Sequence, residues 1–378
     1  MKISVLQKDL NRGLANVSRV VATRGQLPVL ANVLLEAEKD GLKLAATNLE
    51  MGIREWVGGK IEVEGRLTVP AKSLSEFVGS LGGEVVGLEA EGDKLKVRCG
   101  KYTATFAGID ASEFPVMPKS GLTPAKAKEG HGIIEIGSKL VLDIAMQVAY
   151  AAASDESRPV FTGVRFAVAG DQLAVTATDG FRLARKKIQD KGFKDMGSLD
   201  GLVLPARTIL ELARMADGSA EKNMRIEVFS DNNQVIFGVG RSDLISRVLG
   251  GNYPEVDKII PSEHKTRVIV ERGDLINAVR AVGIFARENN NIIKFTIINS
   301  QFLISARASQ AGESNVEIEA EMEGEDGEIA FNYKYVMDYL NSTASERVVL
   351  EMNGNLAPGV WRGEKDESLL ALVMPVRV

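Results

Sequence analysis

The sequence is poor in the residues that most chemistry relies on. Its 378 residues include one cysteine, Cys99, and two histidines, His131 and His264. A single cysteine excludes an internal disulfide framework and suits a reducing cytoplasm. Cys99 follows the alternating LKVR of a strand and reads as a small packed residue. Both histidines fall in linker-like stretches, KSGLTPAKAKEGH and PSEHK, where no packed wall can hold a general base in place. No His/Cys/Asp grouping has metal-ligand spacing, so neither a metal nor another cofactor is expected. GxxxxGK[ST], strand–GxGxxG–helix and GxSxG are all missing, which removes phosphate-cradling loops and the serine elbow. No apolar run approaches the ~20 residues of a membrane span. The opening MKISVLQKDL lacks the apolar core of a signal peptide. With 45% hydrophobic and 26% charged residues, the remaining expectation is an ordinary globular chain.

What is present is repetition. Leu173–Leu183 (LAVTATDGFRL) is an alternating strand that ends in a Thr-Asp-Gly turn. It echoes Leu42–Glu50 (LKLAATNLE) 131 residues earlier and, more faintly, Phe302–Ser309 (FLISARAS). A helix from about Lys8 to Val21 carries Leu10, Leu14, Val17 and Val21 on one stripe. The stripe recurs as Val141, Ala145, Val148, Ala152 and again as Leu275, Val279, Val282, Ala286. A second helix follows in each copy, in VPAKSLSEFVGSL, LPARTILELARMA and FNYKYVMDYLNST, with Pro70, Pro205 and Asn332 at the strand-to-helix step. The third copy loses about five residues between its first helix and its FLISARAS strand, within Glu288–Gln301, as expected of a loop. Each copy closes in alternating strands and an apolar pair before proline: Val116-Met117-Pro118, Ile259-Ile260-Pro261, Val373-Met374-Pro375. Three α+β domains are therefore predicted, spanning 1–125, 126–260 and 261–378.

Catalysis has little to work with. Asp179 of TATDG is the one candidate for a hydrolytic acid, and an Asp-Gly turn closing a strand pair is the commoner role. Charge says more than the net −5 does. Lys72, Arg207 and Lys334 occupy one repeat position, at the start of the second helix and off its apolar stripe. The first helices add Lys8, Arg12, Arg19, Lys139, Arg272, Arg280 and Arg287, with Arg24 just beyond. Acid gathers instead in strands, above all Glu313–Glu328, where alternation puts the carboxylates on one strand face. Helices on one side of the sheets and strands on the other would make one side basic and the other acidic. Such a surface can hold a phosphate backbone without reading bases. No arginine–aromatic interleaving suggests stacking on single strands. At this point a nucleic-acid clasp, a repeat-built peptide scaffold and an Asp179 hydrolase all remain open.

The three copies, MKISV, LPVLANVLL, TNLEMGI, LTVPAKSL, TATDGFRLA, NYPEVDKIIP and the terminal VMPVRV, in order along the whole chain, resemble the bacterial sliding clamps, the beta subunits of DNA polymerase III. The resemblance implies the DNA-clamp fold: two helices packed on antiparallel sheets in each domain. It further implies a homodimeric closed ring around duplex DNA, not an enzyme, which gives the replicative polymerase processivity. It implies docking of the polymerase alpha subunit, the clamp loader and repair proteins through short peptides. The peptide pocket it implies comprises Phe161, Thr178, Gly180, Arg182, Leu183, Pro254, Lys258, Ile259, Tyr335, Val373, Met374, Pro375, Val376 and Arg377. DNA contacts fall to Arg24, Lys72, Arg207, Lys334, Lys8, Arg12, Lys139 and Arg280, and the subunit contact to Ala104, Ile284 and Phe285. Phe181 stands where some relatives carry histidine, and Lys258 where some carry arginine. Lysine cannot make arginine's planar bidentate contact.

Overall fold

The computed structural model describes residues 1–22, 27–118, 133–229, 233–310 and 312–377. Arg24, His131 and the expected 125/126 boundary lie outside them. The first copy runs β1 (Lys2–Leu6), α1 (Gln7–Val17), β2 (Asn32–Glu38), β3 (Gly41–Thr47), β4 (Met51–Val57), β5 (Gly59–Val63) and β6 (Gly65–Pro70). It continues with α2 (Ala71–Ser80), β7 (Val85–Glu91), β8 (Lys94–Cys99) and β9 (Tyr102–Ala107). The second has β10 (Ile134–Gly137), α3 (Ser138–Gln147), β11 (Gly163–Ala169), β12 (Gln172–Thr178), β13 (Arg182–Gln189) and β14 (Val203–Pro205). Then come α4 (Ala206–Asp217), β15 (Asn223–Phe229), β16 (Gln234–Val239) and β17 (Ser242–Arg247). The third has β18 (Thr266–Glu271), α5 (Arg272–Ala286), β19 (Ile292–Ile298), β20 (Gln301–Ala308), β21 (Gly312–Ile318) and β22 (Ala320–Gly324). It ends with β23 (Gly327–Asn332), α6 (Tyr333–Ser342), β24 (Arg347–Met352), β25 (Gly359–Gly363) and β26 (Asp366–Val373).

One expectation needs correcting and one holds. The first helix stops at Val17, and Ser18–Val20 tighten into a 3-10 turn that still buries Val20, so the stripe continues on a different pitch. In the third copy the lost residues do fall in a loop, just ahead of β19. The chain is shortened in the helix-to-strand connection itself, 287–291 against 18–31 and 148–162. Asn290 and Asn291, at φ 51° and 64°, make that short turn in a region asparagine tolerates.

By contact density the chain forms two compact units, residues 1–139 with 214–248, and 140–213 with 249–378. The second sequence copy is thus divided. The reason is strand pairing: β17 pairs with β4 of the first copy, and β13 with β26 of the third.

Unit 1 holds an eight-stranded sheet, β10-β15-β16-β17-β4-β3-β2-β6, and a five-stranded sheet, β5-β1-β7-β8-β9. Helix α1 packs on β3, β4 and α2 through fully buried Leu10, Leu14 and Val17. Each such side chain contributes roughly 1.5–3 kcal/mol of burial. Cys99 is buried, and a Cβ at Gly83 would lie 2.4 Å from its Sγ, so the packing role holds.

Where β4 meets β17, Glu55 is buried. Ser242 Oγ donates to Oε2, and Asn16 Nδ2 donates at 3.3 Å. Burial raises its pKa above the ordinary value, with those two bonds and the Arg12 and Arg241 charges pulling the other way. A raised folded-state pKa means that the folded chain keeps a proton the unfolded chain has released. Glu55 therefore favours folding most below the ordinary glutamate range, and that contribution fades as pH rises through the raised value. Glu55→Gln should accordingly gain in urea midpoint relative to wild type as pH rises from about 4 to neutrality. A difference that stays flat with pH would refute this reading.

Unit 2 holds a nine-stranded sheet, β14-β11-β12-β13-β26-β25-β24-β18-β22, and a four-stranded sheet, β21-β20-β19-β23. Its core gathers the predicted Leu275, Val279, Val282 and Ala286 of α5 around Phe295, Phe302, Phe331, Tyr339 and Trp361. The acidic stretch behaves as expected in one respect: Glu313, Glu317, Glu321 and Glu323 are exposed, while Val316, Ile318, Ala320 and Met322 pack inward. Its charge is largely answered across strands, however. Glu321 pairs with Arg347 at 2.6 Å, Glu323 with Arg267 at 3.4 Å and Glu328 with Lys294 at 2.5 Å. The strand face is a lattice of ion pairs, not a sheet of unopposed acid.

Candidate functional site

The Thr-Asp-Gly turn between β12 and β13 organises one end of unit 2. Thr178 Oγ1 donates to the Arg182 carbonyl at 2.6 Å and accepts from Gly180 N at 3.1 Å. Asp179 Oδ1 accepts from the amides of Phe181 and Arg182, both at 2.9 Å. Gly180 sits at φ 89°, which a side chain would strain. Asp179 is therefore a turn former, the commoner of its two expected roles.

Arg182 is held on every side. Its Nε donates to Asp179 Oδ2 at 2.9 Å and Nη1 pairs with Asp338 of α6. Its guanidinium lies 4.6 Å from the Tyr335 ring centroid and 5.6 Å from that of Tyr150. Burial, aided by the Asp179 charge, pushes the Tyr335 phenol above its ordinary pKa. Asp338 and Tyr150 were missed by sequence reasoning. Tyr335 and Asp338, three apart on one helix face, were the only local hint.

The other expected pocket residues divide by exposure. Leu183 is a floor rather than a wall: it is buried with Val256, Val360, Leu370 and Leu372, under Tyr253 and Ile260. Val373 is equally buried. Above that floor Phe181 (64% exposed), Ile259 (48%) and Met374 (37%) present apolar surface. Phe161 packs edge-on to Tyr253 at 6.5 Å, and Pro254 is half-buried beside that tyrosine in the chain. Lys258 is exposed and paired with Glu255. The tail is strand only as far as Val373, because Pro375 has no amide to continue the ladder. Met374 N still donates to Phe181 O, and Val376 N to Ala330 O, both at 2.8 Å. Val376 and Arg377 line a cleft of about 270 Å³ with Leu356 and Lys294.

The basic positions fall largely where expected. Lys72, Arg207 and Lys334 are each the second residue of α2, α4 and α6, and all are exposed. A cation in a helix's first turn opposes the macrodipole, so helix stability does not account for three such placements. Lys8, Lys139 and Arg280 are exposed. Arg12 is exposed and 3.4 Å from Asp9, and Lys72 lies 4.0 Å from Glu76. Arg272 differs: half-buried, it donates through Nε to the Leu340 carbonyl at 3.0 Å and ties α5 to α6.

Ala104 lies on β9, an edge of the five-stranded sheet. Two residues on and on the same face, Phe106 meets Phe77 of α2 edge to face at 5.8 Å. Phe106 puts an aromatic ring beside Ala104 on that face, which the alternation of YTATFA could have revealed. In unit 2, Ile284 is 57% exposed while Phe285 packs partly against the core. Among the described residues, no cluster of His, Cys, Asp and Glu could hold a metal, and no helix is long and apolar enough to cross a membrane.

Comparison with known proteins agrees along the full length. Family models for the DNA polymerase III beta subunit match in order: N-terminal domain at residues 1–118, central domain at 135–255 and C-terminal domain at 257–377. A beta sliding clamp from Synechocystis is 33% identical over 401 residues, covering all of both chains. The Bacillus subtilis sliding clamp structure superposes with a TM-score of 0.91 at 28% identity, covering 100% of this chain and 99% of that one. The Pseudomonas aeruginosa beta subunit gives 0.89 at 26% identity over the whole of both chains. The chain belongs to the bacterial DNA polymerase III beta subunit family, the beta sliding clamps.

Proposed function

We propose that this protein is a cytoplasmic, non-catalytic sliding clamp. Two copies close into a ring around duplex DNA, and the ring gives DNA polymerase III its processivity. The single observation that carries this reading is the in-order match of all three clamp domains. The thrice-repeated first-turn cation at Lys72, Arg207 and Lys334 supports it physically. Enclosure supplies residence time, and weak phosphate contacts from these residues, with Arg24, Lys8, Arg12, Lys139 and Arg280, permit sliding without sequence readout. The Phe181–Ile259–Met374 surface, with Arg182 and Tyr335 behind it, receives short peptides from the polymerase, the clamp loader and repair proteins. Closure of the ring joins the β9 edge, with Ala104 and Phe106, to the partner's Ile284 and Phe285.

Neutralising Lys72, Arg207, Lys334 and Arg24 to glutamine should weaken clamp-dependent synthesis and flatten its salt dependence by several counterions, with the dimer intact by sedimentation. Unchanged synthesis would remove these residues from the DNA contact. Enclosure has its own test. Protein loaded onto nicked circular DNA should stay with the circles through gel filtration and be lost once the DNA is linearised. Equal retention on both forms would mean ordinary duplex binding.

A further inference from the structure

The frame that builds the peptide surface in unit 2 occurs a second time, in unit 1. Thr47 Oγ1 donates to the Met51 carbonyl at 3.0 Å and accepts from Leu49 N at 3.0 Å, as Thr178 does with Arg182 and Gly180. Asn48 Oδ1 accepts from the amides of Glu50 and Met51 at 3.1 and 2.8 Å, as Asp179 does from its own pair. Leu49 holds φ 75° where Gly180 holds 89°, a rare conformation for leucine. Strand β4 pairs with β17 as β13 pairs with β26, and Arg247 N donates to Glu50 O at 2.9 Å as Met374 N does to Phe181 O. Phe114-Pro115 leads into this site as Tyr253-Pro254 leads into the other.

The floor is rebuilt without being lost. Gly52 stands in the place of Leu183, and Met117 packs over it. A Cβ on Gly52 would lie 2.6 Å from Met117 Cε, so the methionine fills the space a side chain there would need. Above this floor a cleft of about 110 Å³ stays open between Leu49, Met51, Val116, Ile245 and Arg247. That is several times the space one water needs and enough for an aliphatic side chain. At its mouth Val116 is 99% exposed and Leu49 45% exposed. The rim is more charged than in unit 2: Glu50 replaces Phe181 and Arg247 replaces Met374.

We propose that unit 1 carries a second peptide-docking groove. It takes an extended segment with one aliphatic anchor flanked by a basic and an acidic residue, which Glu50 and Arg247 complement. The inference rests on the peptide reading of the unit 2 surface, because it transfers that surface's occupant through the repeated frame.

The test is a titration of the full-length protein with a fluorescein-labelled nonapeptide carrying central leucine between lysine and glutamate. Wild type, Arg182→Met and Val116→Asp are compared, and Val116 is too exposed for its substitution to unfold the chain. Two peptides per chain are expected, the weaker at least tenfold below the stronger. Arg182→Met should weaken the stronger site alone, by tenfold or more, and Val116→Asp should remove the weaker alone. One peptide per chain, weakened in Arg182→Met and untouched by Val116→Asp, overturns the second groove and leaves the first standing. One peptide kept in Arg182→Met and lost in Val116→Asp upholds the unit 1 groove and removes the unit 2 reading. No binding in wild type removes both. If Val116→Asp changes only the sedimentation coefficient, the face is a self-contact and the proposal fails.

Discussion

Arg182→Met should weaken peptide binding at the unit 2 surface by tenfold or more, with Arg182→Lys recovering only a part of it. The guanidinium joins a turn of the second sequence copy to α6 of the third through two carboxylates, and two aromatic rings flank it. Methionine fills similar volume but leaves Asp179 and Asp338 facing each other without a cation. Asp338 keeps 43% of its side-chain exposure, so the local penalty is on the order of 2–4 kcal/mol, at or below that of a fully buried pair. Lysine restores charge to one carboxylate but cannot bridge both or stack as a plane. Fluorescence anisotropy with a labelled peptide measures the loss. Hydrogen exchange at Phe181 and Arg182 should rise in parallel, which would mark Arg182 as a positioning residue. Full affinity in Arg182→Met would show that the turn holds itself.

Trp361→Ala should be the most damaging single change to stability. The indole is fully buried, with ring centroids of Phe295 and Tyr339 at 6.0 Å and Phe331 at 6.2 Å. Removing it leaves a large cavity among rigid rings that cannot collapse inward, costing about 3–5 kcal/mol. Urea unfolding should show unit 2 melting earlier, while the Glu55 neighbourhood in unit 1 keeps its midpoint. Trp361→Phe should recover roughly half the loss, because the indole N–H has no hydrogen-bond partner among the described residues and its deletion removes mainly apolar contact. A loss below about 1 kcal/mol would mean the rings repack.

Much of the fold was legible because it is written in short-range periodicity. The stripe Leu10, Leu14, Val17 and its third-copy counterpart were found from spacing alone, and both are buried. Strands β15, β16 and β17 were likewise readable from alternation. What failed were features decided at long range or by one atom. The end of the first helix depends on a change of pitch that no residue type announces. The tail's departure from strand at Pro375 turns on a missing amide hydrogen. The site was half legible: Thr178, Gly180 and Arg182 came from the turn motif and its resemblance. The Asp338 partner lies 156 residues away and leaves no mark near Arg182. The same holds for the Glu321–Arg347 and Glu323–Arg267 pairs, which offset part of the charge of an expected acidic face.

The stretch from Gly312 to Gly324 belongs to both sheets of unit 2, pairing with β20 as β21 and with β18 as β22. Only Glu319 separates the two strands. A thread fixed at both ends to different layers acts as a suture. Neither sheet can peel from its edge without dragging on the other, and no slack loop absorbs the pull. At the far end of β22, Gly324 adopts φ 96° with the Lys265 carbonyl so close that a Cβ would lie 1.9 Å from its oxygen. The suture therefore cannot creep by one residue to relieve tension, so the two layers yield to force together as one mechanical body.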